Sequence, residues 1–182
     1  MQTPADCTPS AVVDLCLYNQ PHRFAVAPSV GATWQPNPPV HWKESTPMLR
    51  QHSIEIRVRY DECDPMGFVH HSRFLQYFEM GRTELLRASG GNYREMEEAG
   101  QLVVVVRVDC RYRRPACYDD LLRLETEITG VTAGKIMHQY HLYRDQELLV
   151  QADVTLAVID REGQIQRVPE FLRTAFSADQ SP

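Results

Sequence analysis

The chain has 182 residues, 43% of them hydrophobic and 24% charged, which suits one globular domain with at most an appendage. With 24 acids against 19 bases the formal charge is −5, so the basic excess that neutralises nucleic-acid phosphates is missing. The longest apolar run, Leu102 to Val106, is far short of the roughly 20 residues a membrane-spanning helix needs.

Composition changes near residue 50. Eight of the 12 prolines lie at or before Pro47, together with both tryptophans, Trp34 and Trp42. Proline removes backbone donors and restricts its predecessor, so residues 1–50 are expected to form an irregular extension. Two readings stand for it. Met48 is the true start, or the segment is a partner-binding or membrane-proximal arm. The N-terminus has no basic region followed by an apolar one, and the five cysteines contain no C-x-x-C pair. A cytoplasmic, reducing setting without a zinc or disulfide framework is expected.

From residue 51 to 176 the chain reads as one domain, with 177–182 as a tail. Ile54, Ile56, Val58 and Tyr60 alternate with charged residues, the period of a half-buried strand. Asp61 to Gly67 is a loop punctuated by Pro65 and Gly67. A helix is predicted from about His71 to Ala88, with Gly81 in its middle tolerable if the helix passes close to another backbone there. Ser89-Gly90-Gly91 ends it, and a short helix follows over 93–98. Strands are expected over 102–113, 122–129, 135–144 and 148–160, then a turn at 160–163, a short strand and a closing helical turn over 169–176. One long amphipathic helix and one antiparallel sheet make an α+β fold with the helix on one face.

Asp64 precedes the helix start, where unsatisfied N–H groups can hold an oxyanion. A carboxylate facing such donors suits acyl transfer, although Asp in this place also commonly just closes a turn. His70 and His71 beside Cys63 are a weak metal signal, because adjacent residues do not converge on one ion; a Cys63 nucleophile with His70 or His71 as its base is open but ranks below Asp64. His138 and His141, three apart on a strand, fall on opposite faces. Arg111, Arg113, Arg114, Lys135 and Arg167 form either a solvated face or a phosphate clamp. Glu79, Arg82, Glu84 and Arg87 read as ion pairs on the helix surface or at an interface.

The run Tyr60-Asp61-Glu62-Cys63-Asp64-Pro65-Met66-Gly67-Phe68-Val69-His70-His71 resembles the signature of hotdog-fold acyl-CoA thioesterases of the 4-hydroxybenzoyl-CoA thioesterase family. Phe78 to Arg87 is similar to the branch encoded with the Tol-Pal system. Tyr112 to Asp120 and Gly163 to Glu170 resemble two further blocks, so the likeness spans about residues 51–173 in one register. It implies a hotdog fold, an antiparallel sheet wrapped around one long helix, with subunits pairing into dimers or tetramers. It implies an acyl-CoA substrate, hydrolysed without a cofactor or metal. Asp64 falls on the catalytic carboxylate and the backbone N–H of His71 on the oxyanion donor. Gly67, Val69, His70, Lys135 and Arg167 are expected to bind substrate, the two cations at the coenzyme A phosphates. His70 replaces a common aromatic residue, so the acyl group is not carried over; an aliphatic one is slightly favoured over an aromatic one. An acyl carrier protein thioesterase and a non-catalytic acyl-CoA binder are the alternatives. A hydratase ranks lower, since the loop lacks the Asn that chemistry would require.

Overall fold

The computed structural model describes residues 48–177. The expected extension therefore lies outside the described residues up to position 47, as does nearly all of the tail. Strand β1 (Gln51–Arg57) precedes a 3-10 turn (Tyr60–Glu62), then helices α1 (Arg73–Ala88) and α2 (Tyr93–Glu98). Strands β2 (Leu102–Tyr112), β3 (Leu121–Val131), β4 (Ile136–Arg144), β5 (Glu147–Ile159) and β6 (Ile165–Gln166) follow, and α3 (Glu170–Ser177) closes the described part. The strand order is β1-β3-β4-β5-β2, with β6 added to β5 and every pairing antiparallel.

Alternation fixes which face of the sheet is wrapped around α1. Leu122, Leu124, Thr126 and Ile128 of β3 are buried, as are Ile136, His138, Tyr140 and Leu142 of β4. The helix answers with Phe74, Tyr77, Phe78, Gly81, Arg82, Leu85 and Leu86, spaced three and four apart along one stripe. Phe78 stacks on Tyr140 with ring centroids 4.7 Å apart. This is the expected α+β arrangement, an antiparallel sheet curved around one long helix. Among the described residues no helix is long and apolar enough to cross a membrane.

Three details differ from the sequence reading. Strand β1 ends at Arg57, and Tyr60 is 81% exposed in the following turn rather than on the inner face. Helix α1 begins at Arg73 after Ser72, so His71 stands just ahead of the helix instead of in it. Arg82, expected on the surface, is buried at 8% exposure. Position 82 belongs to the same three-and-four series as Phe78 and Leu85, which outweighs the i,i+3 ladder with Glu79 that makes it look external. That ladder exists nonetheless: Arg82 pairs with Glu79 and Arg87 with Glu84.

Gly81 is where helix and sheet come closest. The approach is to side chains of β3 rather than to a second backbone: a Cβ there would lie 2.3 Å from Thr126 Oγ1 and 2.8 Å from Leu124 Cδ2. Gly81→Ala should lose about 1–3 kcal/mol to overpacking, against about 1 kcal/mol regained from helix propensity. Urea unfolding of Gly81→Ala is expected to show a net loss of stability. A net gain would mean that Thr126 and Leu124 yield without cost.

Candidate active site

The loop between the 3-10 turn and α1 is built around Asp64. Asp64, Pro65, Met66 and Gly67 form a turn closed by a 2.9 Å bond from the Gly67 N–H to the Asp64 carbonyl. Pro65 presets the second turn position and Gly67 takes φ +82°, which costs glycine little. The Asp64 N–H donates to the Phe68 carbonyl at 2.8 Å. Asp64 Oδ1 accepts from the N–H of Met66 at 2.9 Å and, more loosely, from Phe68 at 3.4 Å. Asp64 therefore does close its own turn, as many aspartates do. Only one carboxylate oxygen is used for that, so the other can take part in chemistry.

Glu62 holds this loop to the helix. Its Oε2 accepts from the Arg59 N–H at 2.7 Å and from the Tyr77 hydroxyl at 2.8 Å. Its carbonyl accepts from the His70 N–H at 2.8 Å. Tyr77 is buried at 1% exposure, and burial together with the Glu62 hydrogen bond pushes its phenol well above the ordinary range. The other side of the loop is tied to the turn before β3. The Val69 N–H donates to the Ala116 carbonyl at 2.8 Å, and Phe68 bridges Cys117. That turn is fixed by Asp120, whose Oδ2 accepts from the Cys117 N–H and from Arg144 at 2.8 and 2.9 Å.

An open cleft of about 360 Å³ runs past the loop. Asp64 and His71 stand on its wall, with Met66, Phe68, Val69 and Phe74 as the apolar lining. Tyr112, Arg113 and Arg114 from the end of β2 face them. Arg113 and Arg114 also line a second opening, of about 420 Å³, with Glu147 and Leu148. The His71 N–H has no hydrogen-bond acceptor among the described residues, while the His71 carbonyl accepts from Tyr112 Oη at 3.3 Å. The first turn of α1 contains no acidic residue. A carboxylate, an uncommitted N–H and an electropositive helix end thus share one cleft.

Of the residues singled out from the sequence, Asp64, Val69 and His71 line this cleft and Gly67 shapes its loop. His70 lies in the same loop but is turned to Ser72, Nδ1 to Oγ at 2.8 Å, and is exposed. Lys135 and Arg167 are exposed at the β3–β4 hairpin end, where the Val168 N–H meets the Ala133 carbonyl. Within one chain that is the end of the sheet away from Asp64. Phe74 and Tyr112 were not anticipated. Their rings, 5.5 Å between centroids, join residues far apart in sequence, and no local pattern announces such a contact. Cys63 lies beside Asp64, and burial raises its thiol pKa, the opposite of what a nucleophile needs.

Residues 58–176 match the family model of the Thioesterase-like superfamily. The chain belongs to that superfamily. Among its relatives is the acyl-CoA thioesterase YbgC of Haemophilus influenzae, 35% identical over 127 residues, covering 68% of this chain and 93% of its own. A probable thioesterase of Bartonella henselae superposes with a TM-score of 0.63 at 32% identity, over 65% of this chain and 99% of that one. A DHNA-CoA thioesterase of Staphylococcus aureus, at 23% identity, covers 64% of this chain and 80% of its own with a TM-score of 0.63, and attests the fold alone. The superfamily match spans the Asp64 loop, α1 and every strand of the sheet except β1.

The Glu62–Tyr77 bond has a measurable consequence. Tyr77→Phe removes one charge-assisted hydrogen bond and should cost about 1–2 kcal/mol. Glu62→Ala should cost at least as much, and the double variant less than the sum of the two. Strictly additive losses in urea unfolding would show that the two side chains do not act through one contact.

Proposed function

We propose that this thioesterase-like protein hydrolyses acyl-CoA thioesters to a free acid and coenzyme A, with Asp64 as the working carboxylate. The observation that carries the reading is the cleft in which Asp64 stands beside the unpaired His71 N–H at the start of α1. The relative named as an acyl-CoA thioesterase supports the substrate class. The similarity of Phe78 to Arg87 to the Tol-Pal-linked branch supports that finer placement and a slight preference for aliphatic acyl groups.

The thioester carbonyl oxygen lies toward the His71 N–H, which stabilises the negative charge that develops on it. Asp64 then acts in one of two ways. It attacks the carbonyl carbon itself, giving an anhydride that water opens, or it takes a proton from the water that attacks. In both, collapse of the tetrahedral intermediate breaks the carbon–sulfur bond and coenzyme A leaves as the thiolate. The His71 contribution is through its backbone. His71→Ala should leave kcat nearly unchanged, whereas loss of an imidazole acting as acid or base would cost about 10²–10⁴-fold.

The site is completed by a second copy. Among the described residues strand β2 pairs only with β5, and Val105, Val106 and Val108 along it are 48, 53 and 37% exposed. An open edge carrying valines invites strand pairing. Two-fold antiparallel pairing about the middle of β2 brings the Leu102 end of one subunit beside Tyr112 of the other. The Lys135–Arg167 end of one subunit then approaches the cleft of its neighbour. Phosphates of coenzyme A are held by Arg113 and Arg114 of the same chain and by Lys135 and Arg167 across the interface.

The direct experiment is a panel of acyl-CoA and acyl carrier protein thioesters, aliphatic and aromatic, with free thiol detected as product. Turnover of acyl-CoA is expected. Tight binding without thiol release would convert the reading into that of a carrier, and turnover confined to carrier-protein thioesters would change the substrate. For the phosphate contacts, Arg113→Ala, Arg114→Ala, Lys135→Ala and Arg167→Ala should each raise KM by about threefold to tenfold with little change in kcat, the discount reflecting their exposure. Unchanged KM in all four would place the phosphates elsewhere.

A further inference from the structure

Under the middle of α1, away from the cleft, lies a small, partly open pocket that shares no lining residue with it. Its polar lining is Arg82 of α1, Tyr93 at the start of α2 and His138 of β4; the remaining walls, including Leu85, Met96 and Ile136, are apolar. No acidic residue lines it. Its volume of about 20 Å³ holds one water-sized particle.

Arg82 is under-compensated. A guanidinium taken out of water is costly unless it is fully paired. Its ion pair is a single 3.3 Å contact to Glu79, a carboxylate whose side chain is 68% exposed and therefore well hydrated. The Tyr93 and Tyr140 hydroxyls interact with the guanidinium but carry no charge to balance it, and the buried Tyr140 Oη makes no contact of full hydrogen-bond geometry. Thr126 Oγ1, across the ladder from Tyr140, and His138 Nδ1 are likewise buried and unpartnered. His138 stacks on Tyr140 at 5.9 Å and is 5% exposed. Burial and the charge of Arg82 push its pKa down to about 3, so it is neutral and donates from one ring nitrogen only.

We infer that this pocket binds one monatomic anion, chloride in ordinary salt solutions, held by Arg82, Tyr93 and His138. The lining is rich in donors and bears net positive charge. A water molecule there could donate to the acceptor nitrogen of His138 or to the Tyr93 oxygen, but it would leave the charge of the guanidinium unbalanced, which an anion does not. An anion accepts from guanidinium, phenol and imidazole together and tolerates the apolar walls. It thereby joins α1, α2 and β4 at one point.

The test uses the full chain and reads stability and density rather than activity. Thermal unfolding is compared in sodium chloride, sodium bromide and sodium gluconate at equal ionic strength, gluconate being too large to enter. A melting temperature several degrees higher in the two halides, saturating with halide concentration, is expected. His138→Phe keeps a ring of similar size without the donor nitrogen and should abolish most of that difference; Arg82→Met should do the same. Crystals soaked in bromide should show an anomalous peak between Arg82, Tyr93 and His138, an arm that stands even where a variant does not fold. Equal melting in all three salts, a halide effect undiminished in folded His138→Phe, or density at the site without a bromide signal would each overturn the assignment.

Discussion

The structure depends on how closely α1 is seated in the sheet. At Gly81 the helix has no side chain, and the space a Cβ would take is occupied by Thr126 and Leu124 of β3. Because the sheet cannot be moved without unpairing strands, the residue at 81 sets the depth of the whole helix. Phe74, Tyr77, Phe78 and Leu85 then reach their places in the core at 1–4% exposure. The N-terminal end of the helix is thereby delivered to the Asp64 loop at a fixed height. Position of the site and packing of the core are in this sense one constraint.

The loop itself has little core of its own: Pro65, Met66, Gly67 and Phe68 are exposed. It keeps its shape through polar ties at both edges. Glu62 attaches it to the interior of α1 through Tyr77, and Val69 attaches it to the turn that Asp120 and Arg144 anchor to β4. The proposed site, one carboxylate oxygen and one backbone N–H, would need such fixed geometry, because oxyanion stabilisation rests on donors that do not have to reorganise. Helix and sheet supply the rigidity, and the loop supplies only direction.

Much of this was legible in the sequence because it is periodic. The alternation around Ile54 and Ile56, and the spacing of Phe74, Tyr77, Phe78 and Leu85, mark buried faces directly, and the strand boundaries followed from Gly and Asp turns. The Asp64 loop was legible through Pro65 and Gly67, which restrict the backbone locally. What escaped is non-local or ambiguous. Tyr112 joins the cleft only because β2 ends across from the loop. Arg82 reads from the sequence as a surface or interface ion pair, because a charge three residues from Glu79 on a helix usually forms an exposed pair; its place in the buried series is the stronger signal. Glu62 has the same charge and the same loop as Asp61, but only the fold shows that it has a structural partner.

That distinction selects the most direct measurement. Asp61 and Asp64 share the loop, and neither side chain bonds to the core. Asp64→Asn is nearly isosteric and can still accept the turn hydrogen bonds, but it can act neither as a base nor as an effective nucleophile. Steady-state turnover of an acyl-CoA substrate by Asp64→Asn and Asp61→Asn, with melting temperatures for both, tests the central claim. The account predicts that Asp64→Asn loses at least about 10²-fold in kcat with its melting temperature preserved, and that Asp61→Asn keeps near-normal kcat. Near-normal turnover in folded Asp64→Asn would contradict it.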